Sequence, residues 1–201
     1  RLKVFISKHF YSYDYDYREE WLRFTRILSD KEHNLNLRER IIQALAQLVE
    51  SSGGELWMNS DAQDYVLAAY LNVSENKNKV AENSTFCQFM EKKEWTIDLE
   101  EYQHSPERYD GITLPKWLYA ESDFRFVVPL IMHKKLLGFV LLLKPRSQIK
   151  LNWEINDLLK VAGSQAASYL AQDEATRALS VAQQFESFNR MSTFVVHDIK
   201  N

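Results

Sequence analysis

The chain has 201 residues, of which 45% are hydrophobic and 26% are charged, and its formal net charge is −3. These values fit a globular protein with one large domain, or one ordinary domain plus extensions. They give no general attraction for nucleic acid, so we expect no direct nucleic-acid binding. The single cysteine, Cys87, excludes an internal disulfide framework and fits a reducing cytoplasm. No apolar run reaches the roughly 18 to 20 residues of a membrane-spanning helix.

Residues 1–34 are predicted to form an arm that is separate from the domain after it. Arg18 to Leu28 is predicted as a helix. The face that we expect to be buried carries Trp21, Leu22, Thr25 and Leu28. The stretch from Phe10 to Tyr17 is too aromatic for a solvated linker, so we expect it to pack on another surface. The chain starts at Arg1 rather than Met and has basic residues nearby, as is typical just after a membrane helix. We therefore expect a juxtamembrane piece of a longer protein.

The next segment gives one helix and two strands. Leu37 to Val49 has its apolar residues on one helical face and stops at Ser51-Ser52-Gly53-Gly54, a typical helix end and turn. Glu55 to Asn59 and Tyr65 to Leu71 are predicted as strands. The polar stretch from Asn72 to Asn83 is predicted as a loop.

A second helix and a minor strand follow. Thr85 to Lys92 is predicted as a short helix that Ser84 caps. Thr96 to Leu99 is a strand candidate, and Glu100 to Pro115 is predicted to be irregular. These elements would cover part of a sheet.

The clearest β signal runs from Arg125 to Leu143 and predicts a hairpin with a basic turn. Both strands are apolar along most of their length, so we expect a sheet that is covered on both faces. Pro129 indicates a bulge or an edge position, and Gly138 indicates the close approach of another backbone.

A long helix is predicted from Asn152, its N-cap, to Asn201, because this stretch contains no strong breaker. At 1.5 Å per residue it would reach about 75 Å, more than the diameter of one small domain. An apolar seam with spacings of 4, 3, 4, 3 and 4 residues predicts a partner helix, and so a homodimer. The seam consists of Val181, Phe185, Phe188, Ser192, Val195 and Ile199. The alternative is a terminal helix folded back on its own core, which the length opposes.

The order of elements defines an α+β domain, in which helices pack against an antiparallel sheet. This order and the long exit helix resemble a GAF domain. The resemblance places a GAF-like sensor domain at residues 35–170. It makes residues 171–201 a signalling helix that leads into a truncated dimerisation and phosphoacceptor domain.

The last residues form a chemical constellation around His197. A neutral imidazole is a nucleophile at one nitrogen, and the neighbouring carboxylate of Asp198 can accept the proton of the other. Asn201 follows one helical turn later and could orient a water. In the heptad His197 takes an outward position, so the alternative is an ordinary exposed histidine.

The stretch from Phe188 to Asn201 resembles the H-box of a sensor histidine kinase. The resemblance implies that His197 takes the γ-phosphoryl group of ATP and that Asp198 acts as the general base. It also implies that Asn201 aligns water for dephosphorylation of a partner response regulator. ATP and Mg²⁺ would be bound by a kinase domain outside this chain. We therefore expect no cofactor in this fragment, although the parent protein would be a protein-histidine kinase.

Four further stretches resemble the PrsK-type kinases of exosortase (PEP-CTERM) systems. They are Tyr15 to Trp21, Leu114 to Leu118, Val128 to Leu130 and Leu137 to Phe139. The resemblance implies a membrane-spanning region before Arg1, so that this chain would be the cytoplasmic portion of an inner-membrane protein. It also implies a DNA-binding response regulator as phosphate acceptor, and control of exopolysaccharide or exported-protein genes.

A GAF-type pocket would lie between the sheet and its covering loops and helix, with an unknown ligand. The candidate lining residues are aromatic: Trp57, Tyr70, Phe86, Phe89, Trp117, Tyr119 and Phe126. The alternative, that they are core or dimer contacts, stays open. Cys87 lies between phenylalanines and is expected to be buried and unreactive. His104 and His133 lack metal-ligand spacing, so we expect no metal site. Asn76-Lys77 lacks the acidic partner of a cyclic-nucleotide motif.

Three hypotheses for the function remain. In the first, the chain is the sensory and phosphoacceptor part of a two-component histidine kinase, and a signal controls autophosphorylation at His197. The alternative is a regulatory ligand-binding or dimerisation GAF module of another signalling enzyme, with His197 incidental. A stand-alone ligand-binding or dimerisation protein is a third possibility.

Overall fold

A six-stranded antiparallel sheet organises the chain, with the strands in the order β3-β2-β1-β6-β5-β4. The strands are β1 Gly54–Asn59, β2 Asp64–Leu71, β3 Val80–Ala81, β4 Ile97–Asp98, β5 Phe124–Met132 and β6 Lys135–Leu143. The computed structural model describes residues 17–30, 34–60, 62–119, 123–146 and 152–199, with side chains described as far as Met191. The aromatic stretch before Tyr17 and the C-terminal Asn201 lie outside this range.

In the described segments six helices surround the sheet. They are α1 Tyr17–Ser29, α2 Leu37–Leu48, α3 Thr85–Lys93, α4 Leu99–His104, α5 Lys116–Tyr119 and α6 Trp153–Ile199, with a 3₁₀ turn at Pro106–Tyr109. The two long predicted strands before residue 72, the hairpin, α2, α3 and the long helix α6 are all confirmed. None of the helices in the part of the chain that is described is long and apolar enough to cross a bilayer.

Side-chain caps fix where α2, α3 and α6 begin. Asn36 and Glu39 form a reciprocal capping box at α2, in which Asn36 Oδ1 accepts from the Glu39 amide at 3.1 Å. Ser84 Oγ accepts from the Cys87 amide at 3.3 Å, as predicted for α3. Asn152 Oδ1 accepts from the Ile155 amide at 2.8 Å, which confirms the predicted start of α6.

Two segments that were predicted to be irregular contain regular structure. Within the predicted loop, Val80 pairs with Tyr65 and forms the short edge strand β3. Within the predicted irregular stretch, α4 forms because Asp98 Oδ1 accepts from the amides of Glu100 and Glu101 at 3.0 and 3.3 Å. Both segments were predicted to be irregular because they are rich in polar residues.

The predicted face of the N-terminal helix was wrong in part. Phe24 and Leu28 are buried against α2, whereas Leu22 is 53% exposed. Trp21 stacks on Phe24 with 5.2 Å between ring centroids, so the packed face follows Trp21, Phe24 and Leu28. Helix α1 therefore contributes Phe24 and Leu28 to the core of the domain.

The sheet has two covered faces, as predicted. On the helix face, residues such as Leu56, Val128 and Val140 pack against α1, α2 and the first half of α6. On the aromatic face, Trp57 and Phe139 pack against α3 and the segment that follows it. Strand alternation separates the two sets, since neighbouring residues point to opposite sides.

Two glycines allow close backbone approaches, one between neighbouring strands and one between α6 and the sheet. A Cβ at Gly138 would lie 2.2 Å from the carbonyl oxygen of Trp57, as the glycine predicted. A Cβ at Gly163 of α6 would lie 2.4 Å from the carbonyl oxygen of Pro129. Strand β4 pairs with only two residues of β5, and Pro129 lies beyond them, so it is at an edge of the sheet. It is also close to the register shift that follows Leu130, where the strand bulges.

Candidate functional site

An aromatic layer fills the space between the sheet and α3. Phe139 lies at its centre, with ring centroids 5.8 Å from Trp57, 5.6 Å from Tyr65 and 5.3 Å from Phe86. All four rings are buried. The Tyr65 hydroxyl donates to the Leu136 carbonyl at 2.9 Å, and burial raises the pKa of Tyr65. Side chains therefore occupy the centre of the predicted pocket.

Five of the seven predicted lining residues belong to this aromatic layer or pack against it. Trp57, Phe86 and Phe89 are buried within the layer. Trp117 stacks on Trp57 with 5.2 Å between centroids, and Tyr119 contacts Tyr102 at 5.7 Å. The structure thus brings these five rings into one cluster. A ligand role for them remains a prediction.

The other two predicted residues lie elsewhere. Phe126 belongs to the helix face, because its neighbour Val127 takes the aromatic side of β5. Its assignment to the pocket was therefore wrong. Tyr70 lies across from Glu55 in the sheet and is 46% exposed, outside the aromatic cluster.

A polar groove of about 860 Å³ opens beside the aromatic layer. Its walls come from the start of β1, the loop after β2, the Trp117 indole and the adjoining ends of β5 and β6. Its lining residues include Glu55, Asn72, Asn76, Lys77, Trp117 and Lys144. Its size suits a small organic molecule.

Glu55 lies at the base of this groove and was missed by sequence reasoning. Its side chain accepts at Oε2 from Trp57 Nε1 at 2.9 Å and from Asn76 Nδ2 at 3.3 Å. The residue is only 2% exposed, and burial raises the pKa of Glu55 against the opposing effect of these two hydrogen bonds. The signal for it was alternation in β1, which puts Glu55 on the same face as Trp57.

A second cleft, of about 570 Å³, lies where α6 begins, with Trp95 and Trp153 at its rim. Its charges are largely paired: Lys160 Nζ is 3.0 Å from Glu94 Oε2, and Arg108 contacts Glu101. This cleft holds no buried carboxylate like Glu55. The groove is therefore the better candidate for recognition of a charged ligand.

The cysteine and the histidines are placed as follows. Cys87 is 2% exposed, and burial raises the pKa of its thiol to about 11 against an opposing hydrogen bond with Ser84. Its predicted burial is confirmed. His133 is exposed in the β5–β6 turn, and His104 Nδ1 lies 2.7 Å from the Glu100 carbonyl oxygen. The described residues contain no group of three or more potential metal ligands.

Helix α6 changes character along its length. Its first half is packed on the sheet as far as Leu170, which is 2% exposed. From residue 174 to Met191 every residue is exposed. The helix continues through His197 and Asp198. Their side chains, like Asn201, lie outside the described part of the chain, so the predicted phosphoacceptor constellation stays a prediction.

Comparisons with known proteins agree with this architecture. No family model and no curated protein matches the chain. Among solved structures, the GAF domain of a Coxiella burnetii phosphoenolpyruvate-protein phosphotransferase is 15% identical, with a TM-score of 0.59. The match covers 81% of this chain and 99% of that one. The GAF domain of the Acinetobacter phosphoenolpyruvate-protein phosphotransferase is 14% identical, with a TM-score of 0.56, covering 78% and 95%.

A GAF domain/HD domain protein from Geobacter sulfurreducens is also similar, at 16% identity and a TM-score of 0.52, covering 76% of this chain and 99% of that one. Identities this low establish the fold alone. The chain is an α+β domain with an antiparallel sheet between helices. Its fold is GAF-like, as predicted.

Proposed function

We propose that this chain is the sensory and phosphoacceptor part of a two-component sensor histidine kinase of the PrsK type. A signal received upstream or in the GAF-like domain controls autophosphorylation at His197 and phosphotransfer to a response regulator. The observation that supports this is the exposed apolar seam on the second half of α6. A sensory domain whose exit helix needs a partner is suited to signal transmission.

The seam is exposed over the part where its side chains are described. Val181, Phe185 and Phe188 are 65%, 66% and 66% exposed, although they follow the heptad spacing of 4 and 3 residues. Burying one such side chain is worth about 1.5 to 3 kcal/mol. A partner that covers three of them on each helix would therefore stabilise an assembly substantially.

A second copy of this chain is the partner that we propose. A heptad seam can pair with an identical seam, and a parallel dimer places equivalent residues at the same level. Two copies of His197 would then face outward at one height, each accessible to a kinase domain. Change in helix packing between two states would carry the signal.

The proposed chemistry uses three residues. A nitrogen of the His197 imidazole would form a bond to the γ-phosphorus of ATP while the bond from that phosphorus to the leaving ADP breaks, and Asp198 would accept the proton of the other imidazole nitrogen. Asn201 would align a water for dephosphorylation of the response regulator. A kinase domain outside this chain would bind ATP and Mg²⁺. Segments before Arg1 would anchor the protein in the inner membrane, with this portion in the cytoplasm.

Sedimentation of the 201-residue chain tests the dimer. We expect a concentration-dependent dimer that Phe185→Asp weakens at least tenfold, because two buried charges would enter the seam. Gln183→Asp adds the same charge on the opposite side of the helix and should leave the dimer intact. Equal effects of the two substitutions would show that the seam is not the interface.

Phosphorylation of the full-length protein tests the site. With γ-labelled ATP we expect acid-labile label in the parent and in a His104→Gln control, and none in His197→Gln. Undiminished label in His197→Gln would contradict the kinase assignment. A dimer that forms without any label on His197 would favour the alternative, a regulatory module of another signalling enzyme.

A further inference from the structure

The buried carboxylate of Glu55 lies at the base of the polar groove, and only one of its two oxygens accepts hydrogen bonds from the described residues. Both hydrogen bonds of Glu55 go to Oε2, from Trp57 and Asn76. Oε1 accepts no hydrogen bond from any side chain or amide in the described ranges. One oxygen of a residue that is 2% exposed is thus free to accept from a ligand.

Among the described residues no ion pair joins a cation to the Glu55 carboxylate, although Lys77 and Lys144 line the same groove. Burial is the largest influence on the pKa of Glu55 and raises it, whereas the hydrogen bonds from the neutral N–H groups of Trp57 and Asn76 lower it. A buried carboxylate that lacks a cation is unfavourable in the free protein. A ligand that brings positive charge to Oε1 would recover that free energy on binding.

The Trp117 indole gives the groove a flat apolar wall. It stacks on Trp57 with an interplanar angle of 25°, so Trp57 holds one of its faces. It is half-buried and lines the groove. An indole beside a carboxylate is a favourable setting for a cation, since the π-system attracts positive charge.

The charges at the rim of the groove do not by themselves favour a cationic or an anionic ligand. It carries Glu75 and Asp123 as well as Lys77 and Lys144. Lys144 Nζ lies 3.9 Å from Asp123 Oδ1, so part of this charge is already paired. Selection therefore depends on the buried group, which is Glu55.

We propose that this groove binds a small organic cation, an ammonium or guanidinium compound, whose N–H groups donate to Glu55 and which lies against Trp117. This inference rests on the proposed function in one respect, that the bound cation is the signal that the domain senses. The binding itself is independent of His197.

The indole N–H groups provide a direct readout. Each of the five tryptophans gives one ¹⁵N–¹H resonance, and that of Trp57 reports on the carboxylate to which it donates. The isotope-labelled chain is titrated with n-butylguanidinium, n-butylammonium and neutral n-butanol. We expect the resonances of Trp57 and Trp117 to shift saturably with the two cations and not with the alcohol.

Two variants complete the test. Glu55→Gln keeps an oxygen for Trp57 Nε1 and should weaken cation binding at least tenfold. Glu174→Gln removes one exposed charge from α6 and should bind like the parent. The proposal is overturned if n-butanol shifts the same resonances, if Glu55→Gln binds unchanged, or if only Trp95 and Trp153 respond, which would place the cation in the second cleft.

The same samples separate this inference from the proposed function. If the chain dimerises through Phe185 but binds no cation, the ligand assignment is wrong and the signalling role stands. If the cation binds and the full-length protein shows no label on His197, the ligand assignment stands and the kinase role is wrong.

Discussion

The two faces of the sheet differ in how they are closed. The helix face is packed mainly with aliphatic side chains, and Gly163 allows α6 to touch the backbone of β5. The aromatic face is packed with rings, and at its margin it keeps a buried carboxylate and an open groove. The difference is consistent with the proposed roles, in which the margin of the aromatic face binds a ligand and the helix face holds the helix that leaves the domain.

The largest expected effect is at the centre of the aromatic face. Phe139→Ala should lower the free energy of unfolding by about 3 to 5 kcal/mol, because it opens a cavity among three neighbouring rings. Urea unfolding followed by circular dichroism measures this. Val140→Ala, the next residue on the same strand but on the helix face, should lose only about 2 kcal/mol. A larger loss of stability for Val140→Ala than for Phe139→Ala would contradict this expectation.

Labelling of the Cys87 thiol shows whether Phe139→Ala loosens the aromatic face in particular. Burial raises its pKa to about 11, so at pH 8 the thiolate is scarce and labelling by iodoacetamide requires opening of the aromatic face. At urea concentrations that give both variants the same global stability, Phe139→Ala should be labelled faster than Val140→Ala. Equal rates would mean that the two faces open together.

An intermediate effect is expected where α6 meets the sheet. Gly163→Ala places a Cβ 2.4 Å from the Pro129 carbonyl oxygen, so the helix must move outward. We expect a loss of about 1 to 2 kcal/mol, an overpacking cost partly offset by the helix preference of alanine. Ser164→Ala, one residue on and exposed, should change stability by less than about 0.5 kcal/mol. A neutral result for Gly163→Ala would show that this contact is not tight.

The smallest expected effect has the opposite sign. Glu55→Gln should stabilise the chain at pH 7 by less than about 1 kcal/mol, because it removes a buried charge and keeps an acceptor for Trp57 Nε1. Folding raises the pKa of Glu55 above its ordinary value of 4.5. The parent therefore loses stability as the pH rises from 4.5 through the folded-state pKa.

Thermal unfolding between pH 4 and 8 checks this sign. The advantage of Glu55→Gln should vanish near pH 4 and grow as the pH rises. Glu75, Lys77, Asp123 and Lys144 line the same groove and are unchanged in both proteins. An advantage that is constant with pH, or one that Glu174→Gln shares, would mean that burial of the Glu55 charge is not its source.

Much of the fold followed from local signals in the sequence. The period of α2, the caps Ser84 and Asn152, and the glycine at Gly138 each act within a few residues, and each was confirmed. The face of α1 was misjudged because Leu22 and Phe24 are both apolar, and only contact with α2 decides between them. Helix α4 was missed although Asp98 is a good N-cap, because the aromatic and polar residues after it masked the pattern.

The groove was harder to predict than the fold. Alternation in β1 could have placed Glu55 beside Trp57, but a glutamate in a strand is usually exposed. Its burial depends on Asn76, 21 residues further on, and on Trp117, which arrives from another part of the chain. Phe126 was assigned to the wrong face because the register shift between Phe124 and Phe126 cannot be seen in a run of apolar residues.

The contact between Gly163 and Pro129 also gives α6 a fulcrum, a fixed point about which the helix can tilt. From this point the helix runs on to His197, about 51 Å at 1.5 Å per residue, while its packed half is anchored in the domain. If the helix is treated as a rigid rod, a tilt of about 2° at this fulcrum moves the far end by roughly 2 Å. A displacement of the sheet too small to disturb its own packing would thus be amplified into a shift as large as those seen at switching helix interfaces.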